Sequence, residues 1–330
     1  MAVKKINKII IRLINFYVSF YQYFLFRPLL LLFRRVAFRG YGSDCCLKED
    51  FLPMPVHFYS PIPDIADLEK RKIWDKKNQL SGIEFNEKSQ LAFLKRLGRK
   101  YHKECHWSIK PTFNTADFFI DNGSFSYGCA AILYSMIREF KPQRVIEIGS
   151  GNSSKIISSA LMINRNQDGI KPDYTIVDPY PQDYIIQKKI KRNKLIRKRV
   201  ETLEPKFFDQ LKKDDLLFID SSHTSKIGSD VNFLFLEVLS RLKPGVIVHI
   251  HDIGLPYEYP KTYATQEVFR QFWTEQYLLQ AFLCLNKEYE VTLAMCNIFT
   301  NYSKVFQRAF PFYNPKLHLL TSGSFWMRRK

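Results

Sequence analysis

Two polar clusters close successive apolar runs in the second half of the chain. Asp220 and His223 follow residues 216–219, and His249, His251 and Asp252 end residues 246–250. Carboxylates beside imidazoles support two kinds of hydroxyl chemistry. In the first, His223 or His251, oriented by Asp220 or Asp252, is a general base that takes the hydroxyl proton during attack. In the second, such donors hold a metal ion that lowers the hydroxyl's pKa. His249 and His251 alternate along one strand and so face the same side of a sheet. The interior position suits His249 as a packed core residue, whereas His251 stands at the strand tip.

A third polar element comes earlier, Glu147-Ile148-Gly149-Ser150-Gly151-Asn152-Ser153-Ser154, just after the apolar run 144–148. Glycine lets a backbone bend tightly and approach a ligand closely. The helix N-terminus that follows can hydrogen-bond a polar group. A dinucleotide fingerprint places a third glycine where Ser154 stands and an acid about 20 residues on, whereas Asp178 comes later. The pattern is E-x-G-x-G instead.

The elements that must position these residues alternate in kind. From Tyr127 onward, short β-rich runs (144–148, 174–177, 216–219, 246–250, 289–295 and 325–328) are separated by amphipathic stretches read as helices over 153–163, 230–242 and 265–286. Such alternation predicts an α/β fold with a doubly wound, Rossmann-like sheet, in which ligands bind beyond the carboxyl ends of the strands. Gly149, Asp178, Asp220, His251 and Asp252 fall at those ends. This domain is expected over 126–330. Residues 41–125 read as an accessory or lid region, broken by Pro53, Pro55, Pro61 and Pro63, with a helix over 87–101.

Residues 1–40 form an apolar and basic arm. Lys4, Lys5, Lys8, Arg12, Arg27, Arg34, Arg35 and Arg39 precede the first acid, Asp44. The uncharged run 13–26 falls short of the roughly 20 residues that span a bilayer. Its tyrosines and basic flanks suit a helix lying on an anionic membrane surface.

The E-x-G-x-G turn, the strand closing at Asp178, the blocks 215–230 and 242–253, and an upstream His57-Phe58-Tyr59-Ser60-Pro61 together resemble a bacterial family of class I S-adenosylmethionine-dependent methyltransferases. The likeness covers about 50–330 and implies the cofactor and the chemistry, not the acceptor. It implies that Glu147, Gly149 and Gly151 line the S-adenosylmethionine pocket and that Asp178 accepts hydrogen bonds from the ribose. The set Asp220, His251 and Asp252 resembles the metal-ligand positions of catechol O-methyltransferase-like enzymes, which carry Asp-Asn at the last two. A His-Asp pair there fits Mg²⁺ poorly, since that ion prefers oxygen ligands, and suits a transition metal better.

The expected activity is thus O-methylation of a small-molecule, saccharide-like or lipid-linked acceptor. A binding protein that keeps the fold without catalysis is the alternative, with a nicotinamide-dependent oxidoreductase third. The net charge of +18 favours an acidic partner. The basic run 188–199 reads as a solvated helix face, and no nucleic-acid-binding motif accompanies it. Six cysteines without a C-x-x-C pair fit a reducing, cytoplasmic setting, with the arm peripheral on the inner face of a membrane.

Overall fold

The computed structural model describes residues 17–18, 20–37, 43–187, 189–266, 270–314 and 322–330. The apolar runs pair laterally as strands β1 (Arg144–Ile148), β2 (Asp173–Val177), β3 (Lys194–Ile196), β4 (Leu216–Ile219), β5 (Ile247–Ile250), β6 (Tyr289–Ala294) and β7 (Phe325–Arg329). They form one seven-stranded sheet in the order β3-β2-β1-β4-β5-β7-β6. β1 to β5 are parallel, and β7 runs antiparallel between β5 and β6.

Every residue of β4 and β5 is buried, because helices cover both faces of the sheet. Alternate residues feed two cores. Val145, Ile176 and Phe218 pack with the Tyr127–Phe140 and Asn152–Asp168 helices on one face. Ile146, Leu217 and Ile219 pack with Val231, Leu234 and Leu279 on the other. The order reverses between β1 and β4, which opens a crevice at their carboxyl ends.

Two expected helices take other forms. The stretch read as one helix over 265–286 begins at the last residue of one short helix, Lys261–Thr265, and holds a separate one, Glu275–Leu283. Residues 271–274 between them are not helical. The backbone N–H groups of Thr274 and Glu275 are instead spent on the carbonyl of His223, at 2.9 and 3.1 Å. The basic run read as a solvated helix holds the half-buried edge strand β3, which three residues of pairing to β2 suffice to form. Lys188 lies outside the described residues.

The chain divides into two compact units, Met1–Leu68 and Glu69–Lys330. Residues 69–125, grouped by sequence with the accessory region, thus belong to the unit that holds the sheet. Leu94 and Leu97 of the Glu87–Tyr101 helix share a core with Ile132 and Ile137. Gln90 Oε1 accepts from the Ala294 amide at 2.8 Å.

In the first unit a π-helical turn, Tyr21–Phe26, leads into the Arg27–Ala37 helix. Tyr21, Tyr23, Phe24, Leu29 and Leu32 are exposed. Among the described residues no helix is long and apolar enough to cross a membrane. Lys4, Lys5, Lys8, Arg12 and Arg39 lie outside the described residues. All six cysteines are free thiols; Cys105 and Cys129 are buried, while Cys45 and Cys284 are exposed.

Candidate active site

The turn after β1 is shaped by one glycine more than the other. Gly149 has φ +78°, and a Cβ there would lie 1.9 Å from the backbone oxygen of Asp220. Only glycine fits both constraints. Gly151, at φ 179°, is extended, and a Cβ on it would meet open space.

Glu147 does not face the crevice. Its carboxyl is fully buried behind the turn and accepts from Ser153 Oγ at 2.7 Å, Ser154 Oγ at 2.8 Å and the Tyr174 hydroxyl. Burial pushes it up to about 8, against the pull of these donors. The place expected for it in the pocket lining is corrected accordingly. It buttresses the first turn of the Asn152–Asp168 helix, because an inward-facing β1 position points into the core rather than past the strand end.

Asp178 does stand at the crevice. Its carboxylate accepts from the Ser150 amide at 2.8 Å, from Ser150 Oγ, and from the Tyr180 amide at 2.8 Å. A carboxylate offers about four lone-pair positions, so these donors leave room for a further hydroxyl. With Gly149 and Asp220 it lines a cleft of about 450 Å³, opposite Val200, Ser222 and Lys226. Four carboxylates line this cleft (Asp178, Glu201, Asp220 and Asp230) against two cations, Arg199 and Lys226. That balance fits a sulfonium and a ribose, and opposes the pyrophosphate of a dinucleotide. Glu201 follows the short strand β3 and carried no sequence signal of its own.

A second cavity, of about 290 Å³, has Phe125, Tyr127, His251, Asp252, Glu258 and Tyr263 in its lining. His223 approaches one acid of each lining. Its Nε2 is 3.3 Å from Asp220 Oδ1 and 3.7 Å from Asp252 Oδ2. One donor atom from each of Asp220, His223 and Asp252 lies within 4.8 Å of the others. The backbones of His223 and Asp252 are both left-handed, at φ 58° and 56°, which turns the two side chains toward each other.

Among the described residues the converging donors include His223 and not the expected His251. His251 Nε2 approaches Asp252 Oδ1 at 3.7 Å, and its ring packs 4.9 Å from Phe125 in the second cavity. His249 is a core residue, as its position predicts. It stacks on Phe218 at 4.2 Å, bonds Ser324 Oγ at 3.1 Å, and burial holds its pKa well below the usual range.

The opposite side of the His223 ring carries a residue that the sequence reading missed. Nδ1–H of His223 donates to Oε2 of Glu275 at 2.8 Å, and Glu275 is fully buried. Trp273 packs 4.3 Å from the His223 ring. Burial alone would lower the His223 pKa, but hydrogen bonds to Asp220 and Glu275 carry it well above the usual value. Asp220, which burial alone would raise, is held down to about 2 by His251 and His223.

Residues 146–253 match a family described as methyltransferase domain. An uncharacterised protein of Archaeoglobus fulgidus is 31% identical over 186 residues, covering 54% of this chain and 81% of the relative. The chain belongs to the class I S-adenosylmethionine-dependent methyltransferases. Two solved structures resemble the chain at low overlap. A Plasmodium falciparum protein described as a protein-L-isoaspartate O-methyltransferase, in complex with S-adenosyl-L-homocysteine, has 15% identity and a TM-score of 0.27, covering 57% of this chain and 81% of its own. A Thermobifida fusca protein described as a methyltransferase has 11% identity and a TM-score of 0.31, covering 77% and 96%. In this methyltransferase the family match spans the strand ends that carry Glu147, Gly149, Asp178, Asp220, His251 and Asp252.

Proposed function

We propose that the methyltransferase acts on a hydroxyl of a small, single-ring acceptor, with Asp220, His223 and Asp252 holding a divalent cation. The observation that carries this reading is the convergence of those three donors, Asp220 from the lining of the cofactor cleft and Asp252 from that of the second cavity. One imidazole and two carboxylates suit a transition metal such as Mn²⁺ better than Mg²⁺. Bound there, the cation would lower the pKa of an acceptor hydroxyl. The cofactor supplies a methyl on a sulfonium, poised for direct displacement.

The chain's own residues do the rest. Gly149 leaves room for close approach, and Asp178 holds the ribose. Gly151 keeps the mouth of the turn clear, while Glu147 fixes the turn from behind. Without a cation His223 sits among Asp220, Asp252 and Glu275 as an imidazolium, a form that accepts no proton. His251, in the lining of the second cavity, is the side chain placed to take the hydroxyl proton. A cavity of about 290 Å³ is at the small end for ligand sites and accommodates one ring. Its aromatic walls and the Asp252 and Glu258 carboxylates suit a saccharide-like ring with several hydroxyls.

The exposed aromatic and leucine side chains of the first unit support a peripheral place on an anionic membrane surface, where a lipid-linked acceptor would be met. The test is transfer of labelled methyl to a panel of hydroxylated monosaccharides and phenols, before and after metal stripping. Incorporation that needs re-added Mn²⁺ supports the reading. Full incorporation by the stripped protein overturns the cation and leaves His251 as a metal-free base oriented by Asp252.

A further inference from the structure

We infer that Glu275 is a positioning residue for the cation site, fixing the His223 imidazole so that its Nε2 faces Asp220 and Asp252. The inference rests on the reading that those three residues hold a cation. A fully buried carboxylate is costly unless it is paired. Among the described residues the side-chain partners of Glu275 are His223, through Nδ1 at 2.8 Å, and Ser221, through Oγ at 3.4 Å. The acid therefore has one strong partner, and that partner's other nitrogen points into the cluster.

The placement is enforced from several directions. Glu275 opens the Glu275–Leu283 helix, whose N-terminal dipole favours an anion at that point. The amides of Thr274 and Glu275 grip the His223 carbonyl at 2.9 and 3.1 Å. Ser225 N donates to Thr274 Oγ1 at 2.7 Å, so both flanks of the histidine loop are tied to this helix start. Trp273 covers the ring at 4.3 Å. With Nδ1 committed as a donor to a carboxylate, a metal-facing Nε2 carries its lone pair, and the acid raises the ring's basicity as a ligand. An amide at 275 could instead present its NH₂ to Nδ1 and leave the proton on Nε2, the tautomer that cannot bind metal.

The experiment is a titration of the full chain with Mn²⁺, free ion being read by electron paramagnetic resonance, for wild type, Asp220→Asn, Glu275→Gln and Glu275→Asp. S-adenosylhomocysteine affinity and thermal unfolding are measured in parallel. Glu275→Gln is expected to weaken Mn²⁺ binding by about 10–100-fold. Glu275→Asp, which keeps the charge, should recover part of the loss. Both variants should keep wild-type S-adenosylhomocysteine affinity, which a merely misfolded protein would not. Wild-type Mn²⁺ affinity in Glu275→Gln, alongside loss in Asp220→Asn, overturns the role of Glu275 and leaves the cation reading standing. A wild-type chain that binds no Mn²⁺ removes the cation reading and this inference with it. Should Glu275→Gln fail to fold, Glu275→Asp decides: Mn²⁺ affinity equal to wild type, despite the retracted carboxylate, overturns the inference.

Discussion

The Cα of Gly149 lies so close to Asp220 that a methyl group on it would come within 1.9 Å of the Asp220 carbonyl oxygen. The glycine turn and Asp220 are therefore one packed unit, joined where β1 and β4 lie side by side. Gly149→Ala must strain a left-handed backbone and push Asp220 away. We expect it to destabilise the fold by about 3 kcal/mol and to abolish S-adenosylhomocysteine binding. Gly151→Ala, with extended backbone and open space around it, should stay within about 0.5 kcal/mol of wild type. Urea unfolding of the two variants side by side checks the contrast, and equal losses would contradict it.

Asp178 should discriminate cofactors. Asp178→Ala removes charge-assisted hydrogen bonds to ribose hydroxyls and is expected to weaken S-adenosylhomocysteine by about 1.5–3 kcal/mol. NAD should not bind either protein. Calorimetric titration with both ligands is the check, and tight NAD binding would refute the assignment of this cleft.

Much of this site was legible in the sequence, and the illegible parts have physical causes. Buried parallel strands such as Leu216–Ile219 announce themselves as apolar runs, and the residue after each run must lie at a strand end. β3 gave no such signal, being three half-buried residues inside a basic segment. The choice of His223 over His251 depends on left-handed backbone at His223 and Asp252, which residue types do not reveal. Glu275 lies 52 positions from His223, and an acid opening a helix reads as an ordinary capping preference.

Glu147 makes stability depend on pH. Its folded-state pKa of about 8 exceeds the unfolded value, so the folded chain keeps a proton that the unfolded chain releases. This contribution is full below the unfolded value near 4.5 and is lost as pH rises through about 8. The difference amounts to about 5 kcal/mol at most. Glu147→Gln, neutral at every pH, should gain on wild type between about pH 4.5 and 8 in urea unfolding. A constant gap between the two proteins would show that the carboxyl is ionised throughout.

Deleting residues 1–40 should leave a folded protein that still binds S-adenosylhomocysteine, since the sheet and both cores lie within Glu69–Lys330. The full chain should sediment with anionic liposomes, less so at high salt, because each basic residue near such a surface contributes about 1 kcal/mol. The truncated chain should remain in the supernatant. A full chain that ignores liposomes, together with a truncation that unfolds, would make the arm a structural element.

The proposed cation site is tested by anomalous diffraction at the manganese edge from crystals grown with Mn²⁺ and S-adenosylhomocysteine. The account predicts a single strong peak enclosed by Asp220, His223 and Asp252, whose donor atoms already lie within 4.8 Å of one another. No peak at that point, or a peak on His251 with His223 turned away, would contradict it.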